Sequence, residues 1–298
     1  MNLLLLGNTG QLGWELQRAL QPLGVVVALD YPEINLADPG SIRKTVQELH
    51  PEVIVNATAY TAVDKAESEP ELAIAINATG PGVLAEEARK LNAFLIHYST
   101  DYVFDGTKGT PYVETDLPQP INIYGESKLA GEQAIQSVDG AYLILRTAWV
   151  YSTRCDSFLT KVMQWARQYE ILRMVDDQIS NPTWARMLAE TTALLLARTG
   201  DNNLPWLAKR KGMYHLAGDG FTSRYDWVRQ ILRLDPRRQE QVVKQLLPAP
   251  TSDFPTPAQR PLFSALNCEN FYNTFGLRLP NWGAALELAL VSNDDGNK

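Results

Sequence analysis

The chain is short of the residues that build metal centres, disulfide frameworks and nucleic-acid surfaces. Its 298 residues contain two cysteines, Cys155 and Cys268, and three scattered histidines, His50, His97 and His215. Neither set falls in a metal-ligand spacing, so no metal is expected. Two isolated thiols suit a reducing compartment. Positive charge is also scarce: 27 Lys and Arg face 34 Asp and Glu, a net charge of −7. Without a block of Lys or Arg, neither a nucleic acid nor a membrane surface is an expected partner. Long apolar runs are missing. The opening MNLLLLGNTG breaks at Gly7 with no basic leader, so it reads as a strand and not a signal peptide. No later run reaches bilayer length. These absences lead to the expectation of a soluble, cytoplasmic protein, and 45% hydrophobic content is ample for a large core.

What is present is a rhythm. Short apolar runs recur at LLLLG (3–7), VVVALD (25–30), VIVNATAY (53–60), FLIHYSTDYVF (94–104) and AYLILRTAWVY (141–151). Helical patterns separate them, at about 11–22, 41–50 and 71–91 and in a segment that opens with YGESK. Continuous apolar runs alternating with helices predict an α/β fold whose parallel sheet is buried on both faces. Right-handed crossovers make it a Rossmann-like doubly wound sheet. After residue 150 the rhythm loosens, with helices expected at 157–169, 184–199, 223–233 and 282–291 and strands near 171–175 and 213–217. We therefore expect a dinucleotide-binding domain over 1–150. A smaller C-terminal substrate-binding lobe is expected over 151–298, intertwined with the first.

GNTGQLG places Gly7, Gly10 and Gly13 in a G-x-x-G-x-x-G spacing directly after the first strand, with Gln11 and Leu12 between them. Glycines permit the tight turn and close approach of backbone amides to a pyrophosphate, and the helix N-terminus adds unpaired N–H groups. A dinucleotide is the expected ligand. Asp30 ends the second run, where a carboxylate can accept from an adenosine ribose. That favours NADH, while NADPH remains open if Asp30 turns aside. By position, Asn35 and Leu36 are expected to flank the adenine, Ala59, Tyr60 and Thr61 to lie along the ribose, and Tyr98 to join the cofactor site.

YGESK sets Tyr124 four residues before Lys128, one helical turn apart on one face. A phenol titrates too high for efficient acid–base work near neutrality. A neighbouring ammonium favours the phenolate and lowers that pKa, which gives the spacing a chemical reason. At the preceding strand end, either Ser99 or Thr100 could supply a hydroxyl to the same cleft.

Taken in order, the glycine loop, the acidic strand end, YSTD and then Y-x-x-x-K resemble the extended short-chain dehydrogenase/reductase family. The runs VIVNATAYTAVDKAESEPELAIAINATG, HYSTDYVFDG, YGESKLAGE, RTAWVY and TPAQRP are similar to its dTDP-4-dehydrorhamnose reductase members across nearly the whole chain. The resemblance implies NAD(P)H-dependent reduction of the C4 ketone of a nucleotide sugar. It selects Thr100 over Ser99, and it implies Tyr124 as proton donor and Lys128 as its partner and ribose ligand. It also implies that Asp101 and Trp149 contact the sugar nucleotide, with Arg260 a candidate for the diphosphate. A sugar-nucleotide epimerase or dehydratase shares the same parts, and a non-catalytic regulatory subunit shares the scaffold. The intact Thr100, Tyr124 and Lys128 weigh against the regulatory reading.

Some relatives are described as dimers joined through Mg²⁺ by glutamates. Glu15 matches one such position, but Arg186 and Gly283 stand where two further carboxylates would be. One Glu per chain is a poor offering to a hard cation. The expectation is no interfacial metal and a monomer, with at most a weak homodimer.

Overall fold

Four consecutive leucines explain the first strand. In a strand, side chains alternate between faces, and β1 (Asn2–Leu6) buries Leu3 and Leu5 on one side of the sheet and Leu4 and Leu6 on the other. The same holds for β3 (Val53–Asn56), β4 (Phe94–Thr100) and the later part of β5 (Ala141–Thr147). β2 (Val25–Leu29) is the half-exposed edge. The computed structural model describes residues 1–198 and 203–291; residue 199, the expected end of the 184–199 helix, lies outside them.

All neighbours in the six-stranded sheet are parallel, in the order Gly212–His215, β5, β4, β3, β1, β2. The last strand to join comes from the C-terminal half of the chain. On one face, α1 (Gln11–Ala19) packs with the helix Ala185–Ala197, and on the other Pro39–Leu49, Gly80–Leu91 and Ile123–Val138 form the cover. The strand order reverses beside β1, so the crevice where a doubly wound sheet takes its ligand opens at the C-terminal ends of β1, β3 and β4.

The expected long helix from Glu71 is interrupted. Pro70–Ile74 passes into a π-helical turn, Ala75–Thr79, before Gly80–Leu91. That turn buries Asn77 between two elements: its Oδ1 accepts from Tyr60 N at 2.8 Å and its Nδ2 donates to Ser127 Oγ at 3.0 Å.

A second core lies in the C-terminal half. Trp149 and Phe158 stack on the buried Trp227 at 5.5 and 4.9 Å between ring centroids. The helices Phe158–Gln168, Arg224–Leu234 and Trp282–Val291 close around them. Beside these helices, Ile171–Val175 pairs in parallel with Gln245–Ala249.

Candidate active site

The glycine loop is built by contact. Gly7 has φ +88°, a left-handed conformation that L side chains rarely adopt, and a Cβ on Gly13 would lie 1.8 Å from Gly7 O. Helix α1 therefore starts flush against the loop. No side chain caps it, which leaves first-turn N–H groups for an anionic ligand. Thr9 reaches across this loop: its N–H and hydroxyl both donate to Asp30 Oδ2, and Tyr31 N donates to Oδ1 at 2.8 Å. Asp30 is thereby fixed just past the end of β2.

The end of β4 turns tightly. Thr100 Oγ1 accepts from Tyr102 N at 3.1 Å and lies 3.2 Å from Asp101 Oδ1. Asp101 is buried, and its Oδ2 accepts from the hydroxyls of Ser180 and Ser264. Burial pushes its carboxyl up to about 6 against those hydrogen bonds.

YGESK begins the helix Ile123–Val138, capped by Asn122 Oδ1 accepting from Gly125 N at 2.8 Å. Four of the five residues of the motif have a visible contact. A Cβ at Gly125 would lie 2.2 Å from Tyr102 O, so only glycine lets the helix approach the β4 turn. Tyr124 meets Tyr102 edge to face at 5.8 Å. Ser127 bonds Asn77, and Lys128 Nζ donates to Tyr98 O at 2.6 Å.

These pieces line one cleft of about 630 Å³, shared by Gly7, Gly10, Gln11 and Leu12, by Asp30, and by Ala59 and Thr61. Tyr98, Thr100, Asp101, Tyr124, Lys128 and Trp149 complete it. Gln11 Oε1, Thr58 Oγ1 and Thr147 Oγ1 also belong to it, and each is a buried polar atom without a hydrogen-bond partner. Buried polar atoms ordinarily have partners. Three orphans in a cleft floored by a glycine cradle fit a polar dinucleotide.

The acid–base balance departs from the sequence expectation. Burial pushes the Tyr124 phenol well up, and the Thr100 hydroxyl is what opposes it. Lys128 is itself pulled down to about 8 by burial, with Glu132 opposing. In this structure Tyr124 is held as the neutral phenol, the form a proton donor needs.

Family comparison decides the kinship. A family model described as the RmlD substrate binding domain matches residues 1–294. A dTDP-4-dehydrorhamnose reductase of Shigella flexneri is 43% identical over 296 residues, covering 97% of each chain. The chain belongs to the dTDP-4-dehydrorhamnose reductase family, a group of NAD(P)H-dependent oxidoreductases. A solved dTDP-4-dehydrorhamnose reductase from Clostridium acetobutylicum superposes with a TM-score of 0.89 at 33% identity, covering 98% of this chain and 99% of that one. One from Bacillus anthracis, in complex with NADP, gives 0.87 at 32%, covering 97% and 98%.

Within this reductase family fold, several expected residues sit elsewhere. Leu36 is buried in the core beneath Gly80, and Asn35 Oδ1 accepts from Ala37 N to shape the turn before the helix Pro39–Leu49, so neither lines the cleft. Tyr60 turns its hydroxyl to Glu69 at 2.5 Å, which pushes the phenol up to about 12, while Ala59 and Thr61 face inward. Gly13 packs behind the loop instead of lining the cleft. Arg260 is held by Asp64 Oδ2 at 2.8 Å and by Ala258 O. Asp101 lines the cleft, but its carboxylate is occupied by the two serines. Glu15 pairs with Arg186 at 3.4 Å. Among the described residues no group of three or more His, Cys, Asp or Glu is placed to hold a metal, and no helix is long and apolar enough to cross a membrane.

Sequence reasoning missed Thr9, Thr58 and Thr147, plain strand-end and loop residues with no spacing to mark them. It also missed Arg224, whose guanidinium stacks over Trp149 at 4.1 Å and whose Nε donates to Gln178 Oε1 at 3.0 Å. Trp149 itself has φ +38°, a strained backbone of the kind found at ligand sites.

Proposed function

We propose that the chain reduces the C4 ketone of dTDP-4-dehydro-L-rhamnose to dTDP-L-rhamnose with NADPH or NADH. The observation that carries this reading is the single cleft that holds the glycine loop, Thr100, Tyr124 and Lys128 together. Gly7, Gly10, Gln11 and Leu12 would hold the dinucleotide pyrophosphate, Asp30 its adenosine ribose, and Lys128 with Tyr98 the nicotinamide end. A reduced nicotinamide bound there supplies the hydride.

The protein's own part is to position and to protonate. Tyr124 keeps its proton until an alkoxide develops beside it, because burial disfavours the phenolate in the resting site. Transfer creates a negative phenolate within reach of Lys128, where a cation then favours it. Thr100 aids by orienting the carbonyl. Trp149, with Arg224 stacked on it, offers an aromatic face and a charged edge to the sugar nucleotide. The segments after residue 150 that do not join the sheet or pack on α1, Arg224 among them, supply the substrate-side wall, and the protein works in the cytoplasm as a monomer or at most a weak dimer.

The test is direct. Purified protein, given dTDP-4-dehydro-L-rhamnose, should oxidise stoichiometric reduced nicotinamide and release dTDP-L-rhamnose. Turnover of a nucleotide sugar without net cofactor oxidation would assign the chain to an epimerase instead.

A further inference from the structure

Arg224 opens the helix Arg224–Leu234 and lays its side chain on the aromatic wall of the second core. Its guanidinium carbon lies 4.1 Å from the Trp149 ring centroid and 4.9 Å from that of Phe158. Ring surfaces thus cover the flat of the group, and hydrogen bonding is left to its edge. There Nε donates to Gln178 Oε1 at 3.0 Å, and the guanidinium donates to the Tyr102 hydroxyl. A guanidinium carries more N–H donors than these two neutral partners use. Among the described residues no carboxylate forms an ion pair with it. An arginine drawn out of water ordinarily has an anionic partner. Burial first pushes the Arg224 pKa down and the Arg260 guanidinium adds to this, while Tyr102 and Asp101 oppose. Asp101 is already engaged by the hydroxyls of Ser180 and Ser264.

The unpaired cation borders the reaction site. Trp149 lines the cleft with Tyr124, and Tyr102 meets Tyr124 edge to face at 5.8 Å. Arg260 approaches the same place from another side. Its neighbour Gln259 offers a carbonyl to Asn122 Nδ2 at 2.7 Å, at the cap of the Tyr124 helix. Both guanidinium groups act on the Tyr102 phenol, whose pKa burial raises and they lower. Arg260 has a carboxylate of its own in Asp64, whose Oδ2 lies 2.8 Å from Nη2. Arg224 has none. A dinucleotide seated on the glycine loop leaves this cation for the other anion of the reaction, the substrate.

We propose that Arg224 binds the diphosphate of the nucleotide-sugar substrate, and so holds the ketone against Tyr124 by the part of the molecule that does not react. A diphosphate diester carries a negative charge on each phosphate and presents paired oxygens to the edge of a guanidinium. It supplies the charge that Arg224 lacks within the protein. Binding energy gathered at a remote group can then serve orientation at the reacting one. The inference deepens the proposed ketone reduction and rests on it, so its test reads binding and not turnover.

Titrations followed by NMR, which read millimolar affinities, should compare dTDP with thymidine, the same nucleoside without the diphosphate. Arg224→Gln should weaken dTDP binding by about tenfold or more and thymidine binding by less than about threefold, the difference being the lost charge-assisted contact. Arg224→Lys, which keeps the charge and loses the fork, should bind dTDP with intermediate affinity. An equal loss for both ligands would make Arg224 a packing residue, and an unchanged dTDP affinity would detach it from the substrate; either overturns the proposal. Should Arg224→Gln fail to fold, the wild type decides. Its Arg224 Nε–H resonance, assigned with Arg224→Lys, should shift on addition of dTDP and stay still with thymidine. A resonance that ignores dTDP would refute the contact. Wild-type turnover of the ketone with dTDP binding indifferent to Arg224 would remove this inference alone. Loss of dTDP selectivity in the variant of a chain that reduces no ketone would remove the reaction and leave the site.

Discussion

Arg146 and Glu132 meet as a two-pronged ion pair in the protein interior. Nε lies 2.8 Å from Oε1 and Nη2 2.6 Å from Oε2, and both side chains are buried. The pair joins β5 to the helix that carries Tyr124 and Lys128. Removing one partner leaves the other charged and uncompensated, which in a buried pair costs about 3–5 kcal/mol. Glu132→Gln should therefore lower the chemical-denaturation midpoint sharply. If that midpoint stayed within experimental error of the wild type, the pair would have no part in stability.

Tyr124 makes its edge contact with Tyr102 through the ring, which Phe retains. Tyr124→Phe should keep the fold and cofactor binding, measured by nicotinamide fluorescence, while kcat falls by about 10²-fold or more, the scale of a lost general acid. Near wild-type kcat would remove Tyr124 from the reaction.

Glu15 faces a guanidinium: Arg186 Nε lies 3.4 Å away. Burial first, and Glu15 after it, push the neighbouring Glu190 carboxyl up while Arg186 opposes them. A cation is already part of this cluster, so a divalent ion would be repelled as well as attracted. Sedimentation velocity should give the same species with Mg²⁺ and after chelation. A dimer that appears only with the metal would contradict this.

Much of the architecture was legible because it follows period and chemistry. An unbroken run of leucines announced β1, and the helices expected at 157–169 and 223–233 formed as Phe158–Gln168 and Arg224–Leu234. The glycine loop was also readable, since Gly7 is demanded by its positive φ and Gly13 by a backbone contact that no Cβ allows; Gly125, which lets its helix approach Tyr102 O, was not. Orientation was not readable. Nothing in ATAY says that Tyr60 turns to Glu69 while its neighbours face the cleft, and nothing in EINLADP says that Leu36 goes under Gly80. Those outcomes depend on a π-helical turn and on elements distant in sequence. The electrostatics of Tyr124 and Lys128 escaped for the same reason. A spacing of four reveals a shared face, but only packing reveals that both groups are dry.

Asp101 gives a pH test with a definite sign. Its carboxyl rises from 3.8 in the free side chain to about 6 in the fold, chiefly through burial. The folded state therefore binds this proton more tightly than the unfolded chain does. The resulting stability is fully present below about pH 4 and is lost as pH rises through about 6. A shift of this size corresponds to roughly 1–3 kcal/mol. Asp101→Asn, which cannot ionise, should remove that component, so the difference in denaturation free energy between variant and wild type should grow in the variant's favour from pH 4 to pH 7. The amide must still accept from Ser180 and Ser264, and its oxygen can do so. A pH-independent difference between the two proteins would mean that Asp101 titrates near its ordinary value, and that Ser180, Ser264 and Thr100 offset the full cost of burying its charge.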